Sequence, residues 1–595
     1  MLSVLCLHSC CDKPTNRNIR KRIRQSRRSL FWLLMIALCY PALSWAFYDI
    51  PANRRITWDA GLDPVGGIPS GGWTVTTPSG LHPDGSQNDA GIINKAIAAA
   101  SPNTVIYLPA GTYLVSSNIT MKSNVVLRGA GAKYPWLPKA SAGSTVLVTS
   151  GGAGLIRMGA KATAASAVNI TSGYTKGSTT LTLASVSGLA VNQYISIFED
   201  NDSTIPVDSS GCEWCGEDSG QHCMQQYAKI TGMSGNTITI DPPMYFTYTS
   251  GLNPQIKKVS SGGDFNIVNS GVEDLKINNA GGGGPIIYMR SARHCWVKNV
   301  ETYNAGSSAK QGHVQIEWSF SCEMRGSHFH HGRSHNSDKN YGIYGLFWNS
   351  NHKIENNILF SNRHGIIFEG GGSGCAILYN FLDANYEGED PGYLSGDLNP
   401  NHGPHPHMNL IEGNISAKVE HDSTMGSSSH DTVFRNWARG YRSTPAITSG
   451  GENGIFTQNL NNFMVFWGNV IGMPTWSSGT VVANGSYREP AAFVFGFDDS
   501  YQYLDPKPYT TALIHGNYDY ITDGVAHWLD SDHAIRDSMY YSSKPSWYGG
   551  CVWPPIGPDV SGYANKTPAK LRYEGSSCEG SDLPPSPPNN LRILP

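Results

Sequence analysis

The sequence is short of charge. Of its 595 residues only 15% are Asp, Glu, Lys or Arg, and 43 basic residues nearly balance 46 acidic ones. The basic surplus of a generic nucleic-acid binder is therefore missing, and no nucleic-acid partner is expected. Long apolar runs are missing too. Apart from Leu30 to Ala42, itself short for an anchor, no stretch reads as membrane-spanning, so stable insertion is not expected. Cysteine is scarce, with 12 in all, and no complete metal-ligand set appears among them. Cys212 and Cys215 with Cys223 lack a fourth ligand nearby, which favours disulfides over zinc.

What is present begins with a targeting signal. Arg17, Arg20, Lys21, Arg22, Arg24, Arg27 and Arg28 precede the apolar run, and Ser44 and Ala46 flank a plausible processing point after Ala46. Its removal takes away Cys6, Cys10, Cys11 and Cys39. Cys212, Cys215, Cys223, Cys295, Cys322, Cys375, Cys551 and Cys578 are left, an even set that suggests disulfides in an exported chain. Cys295 and Cys322 hold nearly equivalent places in adjacent repeats, so they either bridge or stack.

Glycine is plentiful at 66 residues, as recurring turns require. Between Pro285 and Asn469 the chain repeats one unit: a short β-rich run, a Gly/Ser/Asn turn, a second run, and an asparagine. Asn299, Asn357, Asn380, Asn414, Asn436, Asn469 and Asn517 mark the register, with Ser327 standing in for one turn. The gaps 357 to 380 and 414 to 436 are one turn of a solenoid of short strands, which buries its apolar side only by stacking. The asparagines are expected to hydrogen-bond along the axis and satisfy turn backbone.

Five segments follow: a signal over 1–46, a lead-in over 47–80, a β-helix over 81–530, a small antiparallel insertion over 178–247, and a Pro/aromatic-rich strap with a loose tail over 531–595. Ala90 to Ala100 reads as a helix with Ile92, Ile93, Ala96 and Ile97 as its apolar stripe and Asp89 as its cap. It suits the open end of the solenoid, otherwise a sticky edge. The loop around Cys212, with Asp200, Asp202, Asp208, Glu213, Glu217 and Asp218, either overhangs the groove or is simply solvated.

This entrance resembles the pectate-lyase-like superfamily of right-handed parallel β-helix proteins. The resemblance rests on Asp84-Gly85, Asn88-Asp89, Ile92 to Ala100, Leu108 to Tyr113 and Leu127 to Gly131, continued by the Asn-closing turns over most of 80–530. It implies an all-β, parallel β-helix fold. It implies less about chemistry, because the superfamily holds lyases, hydrolases, epimerases and viral tail proteins. Its polygalacturonase-type hydrolases carry an Asn-Thr-Asp run, a paired Asp-Asp and a Gly-His-Gly. Here Gly312-His313-Val314 and Asp498-Asp499 occur without that run and in a different order. Its calcium lyases place aspartates on successive turns, whereas Asp383, Asp390 and Asp397 share one loop. Neither mechanism carries over residue for residue.

Polar residues that interrupt the repeat are the candidates for chemistry. Four stacked turns span about 19 Å at roughly 4.8 Å per strand, the scale of a groove for several sugars. His331, Asp383, His402, Lys418 and Asp422 are the expected catalytic residues, and Arg363, Arg435, Glu369 and His405 the expected substrate-binding ones. A lyase needs a base and a neutraliser for a uronate carboxylate, with His331 or Lys418 taking the proton and Arg363 and Arg435 drawing off charge. A hydrolase needs two carboxyls, with Asp383 and Asp422 as the pair and Asp338, Glu412 and Glu420 also available. The expectation leans to β-elimination on a uronate-containing polysaccharide, by a secreted monomer. A glycoside hydrolase and a non-catalytic glycan-binding protein are the alternatives. Calcium on the acidic loop Glu387 to Asp397 is a candidate cofactor, and His402, His405 and His407 with a carboxylate are candidate zinc ligands.

Overall fold

Strand-forming runs separated by turns stack here into parallel ladders rather than pairing as hairpins. A computed structural model describes residues 49–578, apart from 140–141, 150–155, 164, 202–220, 307–310, 337–338, 530 and 532. The expected signal over 1–46, Cys212 and Cys215 with their acidic loop, Asp338 and the proline-rich tail lie outside the described residues.

The fold is the expected right-handed parallel β-helix. One wall is a ladder of parallel strands, seven of which carry the argument. They are β1 (Gln311–Phe320), β2 (Lys339–Ser350), β3 (Ile366–Glu369), β4 (Leu398–Asn401), β5 (Val419–His421), β6 (Asn453–Thr457) and β7 (Ala491–Phe495). Each pairs with the next, in register Ile343↔Ile366, Ile367↔Asn399, Leu398↔Val419, Glu420↔Phe456 and Phe456↔Val494. The other walls are two ladders of short strands, joined in each turn at the asparagine, as Lys353–Glu355 and Ile358–Phe360 meet at Asn357.

The asparagines bond along the axis as expected. The backbone N–H groups of Ser327, Asn357, Asn380, Asn414, Asn436 and Asn469 each donate to the side-chain oxygen one turn on, at 2.9–3.0 Å, ending at Asn517. Asn299 is off this column. It sits at φ 51° and bonds Asp274 instead, while Val300 takes the ladder position and donates to Ser327 Oγ.

Helix α1 (Ala90–Ala99) closes the N-terminal end, with Ala90, Ile93 and Ile97 packed on the core. Asp89 does not cap it by its side chain. Its carboxylate takes the backbone and ring N–H groups of His82, and Asn88 Oδ1 accepts from Ala90 N–H. Six antiparallel strands between Val168 and Lys258 close into a barrel, wider than the four-strand insertion expected over 178–247. The C-terminal strap lies on the outside of the short-strand walls, where Ser538 and Met539 bond Glu412 and Asp559 pairs with Arg435. Cys551 and Cys578 form a disulfide. Cys295, Cys322 and Cys375 do not. They are buried thiols stacked in the core, so the even count was not a disulfide count there. No described helix is long and apolar enough to cross a membrane.

Candidate functional site

The outer face of the labelled ladder carries a polar cluster. Along β5 side chains alternate. Val419 and His421 enter the core, where His421 approaches Asp431 at 3.7 Å and Phe466. Lys418, Glu420 and Asp422 therefore face outward. Neighbouring turns bring Glu369 at the end of β3, Asn399 on β4, Gln458 just after β6, and Asp499 just after β7.

His402 Nδ1 lies 2.6 Å from Asp422 Oδ2, which also accepts from Asn399 Nδ2 at 2.5 Å. Gln458 Nε2 donates to Glu420 Oε1 at 3.2 Å and also to Asp499. Tyr344 of β2 bonds Glu369. The loop of residues 384–397 overhangs the cluster. In it Glu387 pairs with Arg363 at 3.3 Å and lies 3.4 Å from His364. Fit is close: a Cβ on Gly396 would stand 2.4 Å from Glu420 Cβ. Beyond β6 an aromatic group follows, with Tyr501 stacked between Tyr487 and Phe456 and bonded to Tyr393.

Burial pulls the ionisable groups apart. Burial, aided by Asp499, Asp422 and Glu387 and opposed by Lys418, raises Glu420 to about 8. Burial works against the Asp422 carboxylate too, but His402, Asn399 and the Thr424 N–H outweigh it and hold Asp422 below its usual range. Burial opposes the charge on His402, and Asp422 overcomes it, pushing His402 up to about 10. Asp499 is exposed as a residue, but its carboxylate turns in to Gln458 and is lifted to about 6 by desolvation and by Asp422. Burial lowers Lys418 against the pull of Glu420, Asp499, Glu489 and Glu387.

Of the expected catalytic residues, the fold brings His402, Lys418 and Asp422 together, and Glu369 with them. Arg363 reaches the edge, where Glu387 and Glu389 hold its guanidinium. The rest have other work. Asp383 is buried against Arg439 at 3.2 Å and the N–H groups of Ala384 and Ser443. Arg435 is buried under the strap, bound to Asp559 and three backbone carbonyls. His405 is enclosed between Ser427 and Ser429. His331 touches His330, Tyr303 and Phe360 on a different wall. Glu420 was expected only as one of several carboxyls available to a hydrolase, and Asp499, Gln458 and Asn399 were not among the expected site residues. The period-2 placing of Lys418, Glu420 and Asp422 was the one sequence signal for Glu420.

The candidate metal ligands are engaged by other partners. His402, His405 and His407 bond Asp422, two serines and a backbone carbonyl. Asp390 and Asp397 of the acidic loop turn to Gly392 and Ser449 and to the N–H groups of Ala417 and Lys418. Glu301, His328 and His330 gather on another wall, but the two rings stack at 4.0 Å and 19° and Lys276 fills Glu301 at 2.8 Å. Stacked rings keep their in-plane lone pairs in two separate, nearly parallel planes, so one ion does not lie in both. A cavity of about 780 Å³ between the lead-in, the barrel and the solenoid is lined by Asp59, Asp241, Lys176, Lys229 and His294.

Residues 73–325 match the family described as rhamnogalacturonase A/epimerase, pectate lyase-like. With the fold, that match supports the pectate-lyase-like superfamily of β-helix proteins. The matched stretch is under half of the chain and ends before β2, so the cluster on β3 to β7 lies outside it. The tailspike gp49 of Pseudomonas phage LKA1 is 13% identical over 75% of this chain and 81% of its own, with a TM-score of 0.42. PfbA, a surface adhesin of Streptococcus pneumoniae, is 13% identical over 75% and 93%, at 0.38. The Azotobacter vinelandii mannuronan C-5 epimerase AlgE6 A-module is 13% identical over 74% and 97%, at 0.37. Likenesses this distant say nothing about the chemistry of the cluster. No curated protein matches the chain in sequence.

Proposed function

We propose that the protein is an exported, monomeric glycoside hydrolase that cleaves a polysaccharide on the outer face of β3 to β6. The observation that carries this reading is the separation of Glu420 from Asp422. Two carboxyls on one strand face are driven in opposite directions, one to keep its proton and one to lose it. Such a pair divides the labour of acid and anion in glycoside cleavage. Glu420 gives its proton to the glycosidic oxygen as the bond to the sugar breaks. Asp422 faces the positive charge that develops on the ring. Asp499, at the surface and close to neutral in affinity, takes the proton of the attacking water.

Charge narrows the substrate. With Glu420 holding its proton and Glu387 paired with Arg363, the carboxylates of Glu369, Asp422 and Asp499 still outnumber Lys418 and His402. A neutral or amine-bearing sugar fits this face better than a uronate. β-Elimination draws less support for a second reason: the Lys418 amine is enclosed by the rings of Tyr393 and Phe456 and is 0% exposed, whereas Glu420 and Asp422 each keep 5%. The pectate-lyase-like match supports a glycan as the partner.

The test is a screen of neutral, amine-bearing and acidic polysaccharides for new reducing ends and for ultraviolet absorbance. Reducing ends without absorbance are expected, lost by about 10²–10⁴-fold in Glu420→Gln. An absorbing, unsaturated product would reject hydrolysis. Cleavage undiminished in Glu420→Gln would reject the site. Binding without shortening of any glycan would reject catalysis.

A further inference from the structure

Lys418 has no ordinary reason to be where it is. Its side chain is 0% exposed, and its Nζ has no hydrogen-bond partner. The ring faces of Tyr393 at 4.8 Å and Phe456 at 5.6 Å are the aromatic surfaces over it. Cation–π contact replaces only part of the hydration that an ammonium loses on burial. Methionine would fill the same space without that cost, so packing does not account for a lysine.

Its place on the strand does. Lys418 stands two residues before Glu420 on the same face of β5, about 7 Å away along the strand. Both ends of the arrangement are fixed. Asp397 clamps the entry to β5 through the N–H groups of Ala417 and Lys418. Gly396, where any Cβ would strike Glu420, holds the loop against the glutamate. Gln458 ties the Glu420 carboxyl on the far side.

Resting on the hydrolase reading, we propose that Lys418 is a positioning residue, a buried positive charge that sets how tightly Glu420 holds its catalytic proton. The groups facing the pair from the packed elements are acidic but for one. They are Asp422 just after β5, Asp499 after β7, Glu387 in the overhanging loop, Glu489 before β7, and His402 as the other cation. Without Lys418 these acids and burial would push the Glu420 proton affinity higher still. The carboxyl would then give up its proton too reluctantly to protonate a leaving group. Lys418 counters them, and Asp499 feels the same cation. The sign is definite: removing the charge raises Glu420, and keeping it on another side chain does not.

The experiment compares wild type, Lys418→Met and Lys418→Arg by two readouts. One is the pH dependence of kcat/KM on a glycan that wild type cleaves. The other is the titration of the Glu420 carboxyl by NMR of ¹³C-carboxyl-glutamate protein, identified by its absence in Glu420→Gln. In Lys418→Met both the alkaline limb and the carboxyl titration should move up by about one pH unit or more, while Lys418→Arg stays close to wild type. A folded Lys418→Met with an unmoved or lowered titration overturns the proposal, as does an equal shift in Lys418→Arg. A titration that moves while the alkaline limb does not overturns the catalytic reading of Glu420 and leaves the Lys418–Glu420 coupling standing. If Lys418→Met does not fold, Lys418→Gln removes the same charge and carries the same outcomes.

Discussion

Asp431 stands inside the solenoid in a column whose other members are uncharged. Cys322 N–H donates to His352 Nδ1, Cys375 N–H to Asn409 Oδ1, and Asn409 N–H to Asp431 Oδ1. Its second oxygen has no hydrogen bond, and burial raises its affinity for a proton to about 8 despite the bonds from Asn409. Below about pH 4 both folded and unfolded chains hold this proton, and nothing is lost. As pH rises from about 4 to 8 the unfolded chain releases the proton while the folded one keeps it, so stability falls. Asp431→Asn supplies an amide that needs no proton. It should melt higher than wild type at pH 8 and equal to it near pH 4, and a melting-temperature series across that range is the check. A constant offset at all pH values, or a loss at pH 8, would contradict the assignment. Nothing in the sequence distinguishes Asp431 or His421 from an outward-facing polar residue, because a β-run with an outward acid and one with an inward acid read alike. Lys418, Glu420 and Asp422 illustrate the converse. Their spacing was readable, but an alternating charged face ordinarily means solvent, and only the overhang of residues 384–397 and the arrival of Gln458 and Asp499 make it a site.

At the scale of the element, the asparagine column was the most legible feature. A side chain that both accepts from and donates to neighbouring turns is needed at one fixed point per turn, so its recurrence shows in the sequence. Asn414 shows the demand. Its oxygen accepts from Asn380 backbone and side chain at 2.9 Å, and its nitrogen donates to Ile377, Glu412 and Asn436. Asn414→Ala should cost about 3–5 kcal/mol, since several buried groups lose partners at about 1–3 kcal/mol each. Urea unfolding measures this, and a cost below about 1 kcal/mol would mean that water or a shifted turn replaces the column. Asn299 shows the limit of the pattern, because a left-handed turn residue and a column residue are both best served by asparagine. The barrel was only half legible for a related reason. Its first and last strands, Val168–Ser172 and Gln255–Lys258, bury a single residue each, too little alternation to register. What joins them to the other four strands is closure, a long-range property.

At the scale of the molecule, the solenoid explains why the candidate site escaped a residue-by-residue reading. Glu369 and Asp499 are 130 positions apart in the chain, yet both lie on one face because every turn returns to it. Arg435 and Asp383 have the same chain neighbourhood as the site but belong to the other walls, where the strap and Arg439 claim them. Thus the fold could be read from local repeats, while the site depended on which wall each polar residue faces. The central claim is that a glycan lies across β3 to β6, with its scissile bond at Glu420. The most direct measurement is a crystal structure of Glu420→Gln soaked with an oligosaccharide of the glycan that wild type cleaves. The account predicts a sugar chain on this face, with a glycosidic oxygen within about 3 Å of the residue 420 amide. An oligosaccharide in the 780 Å³ cavity, on the barrel or along the strap, with this face empty, would contradict it.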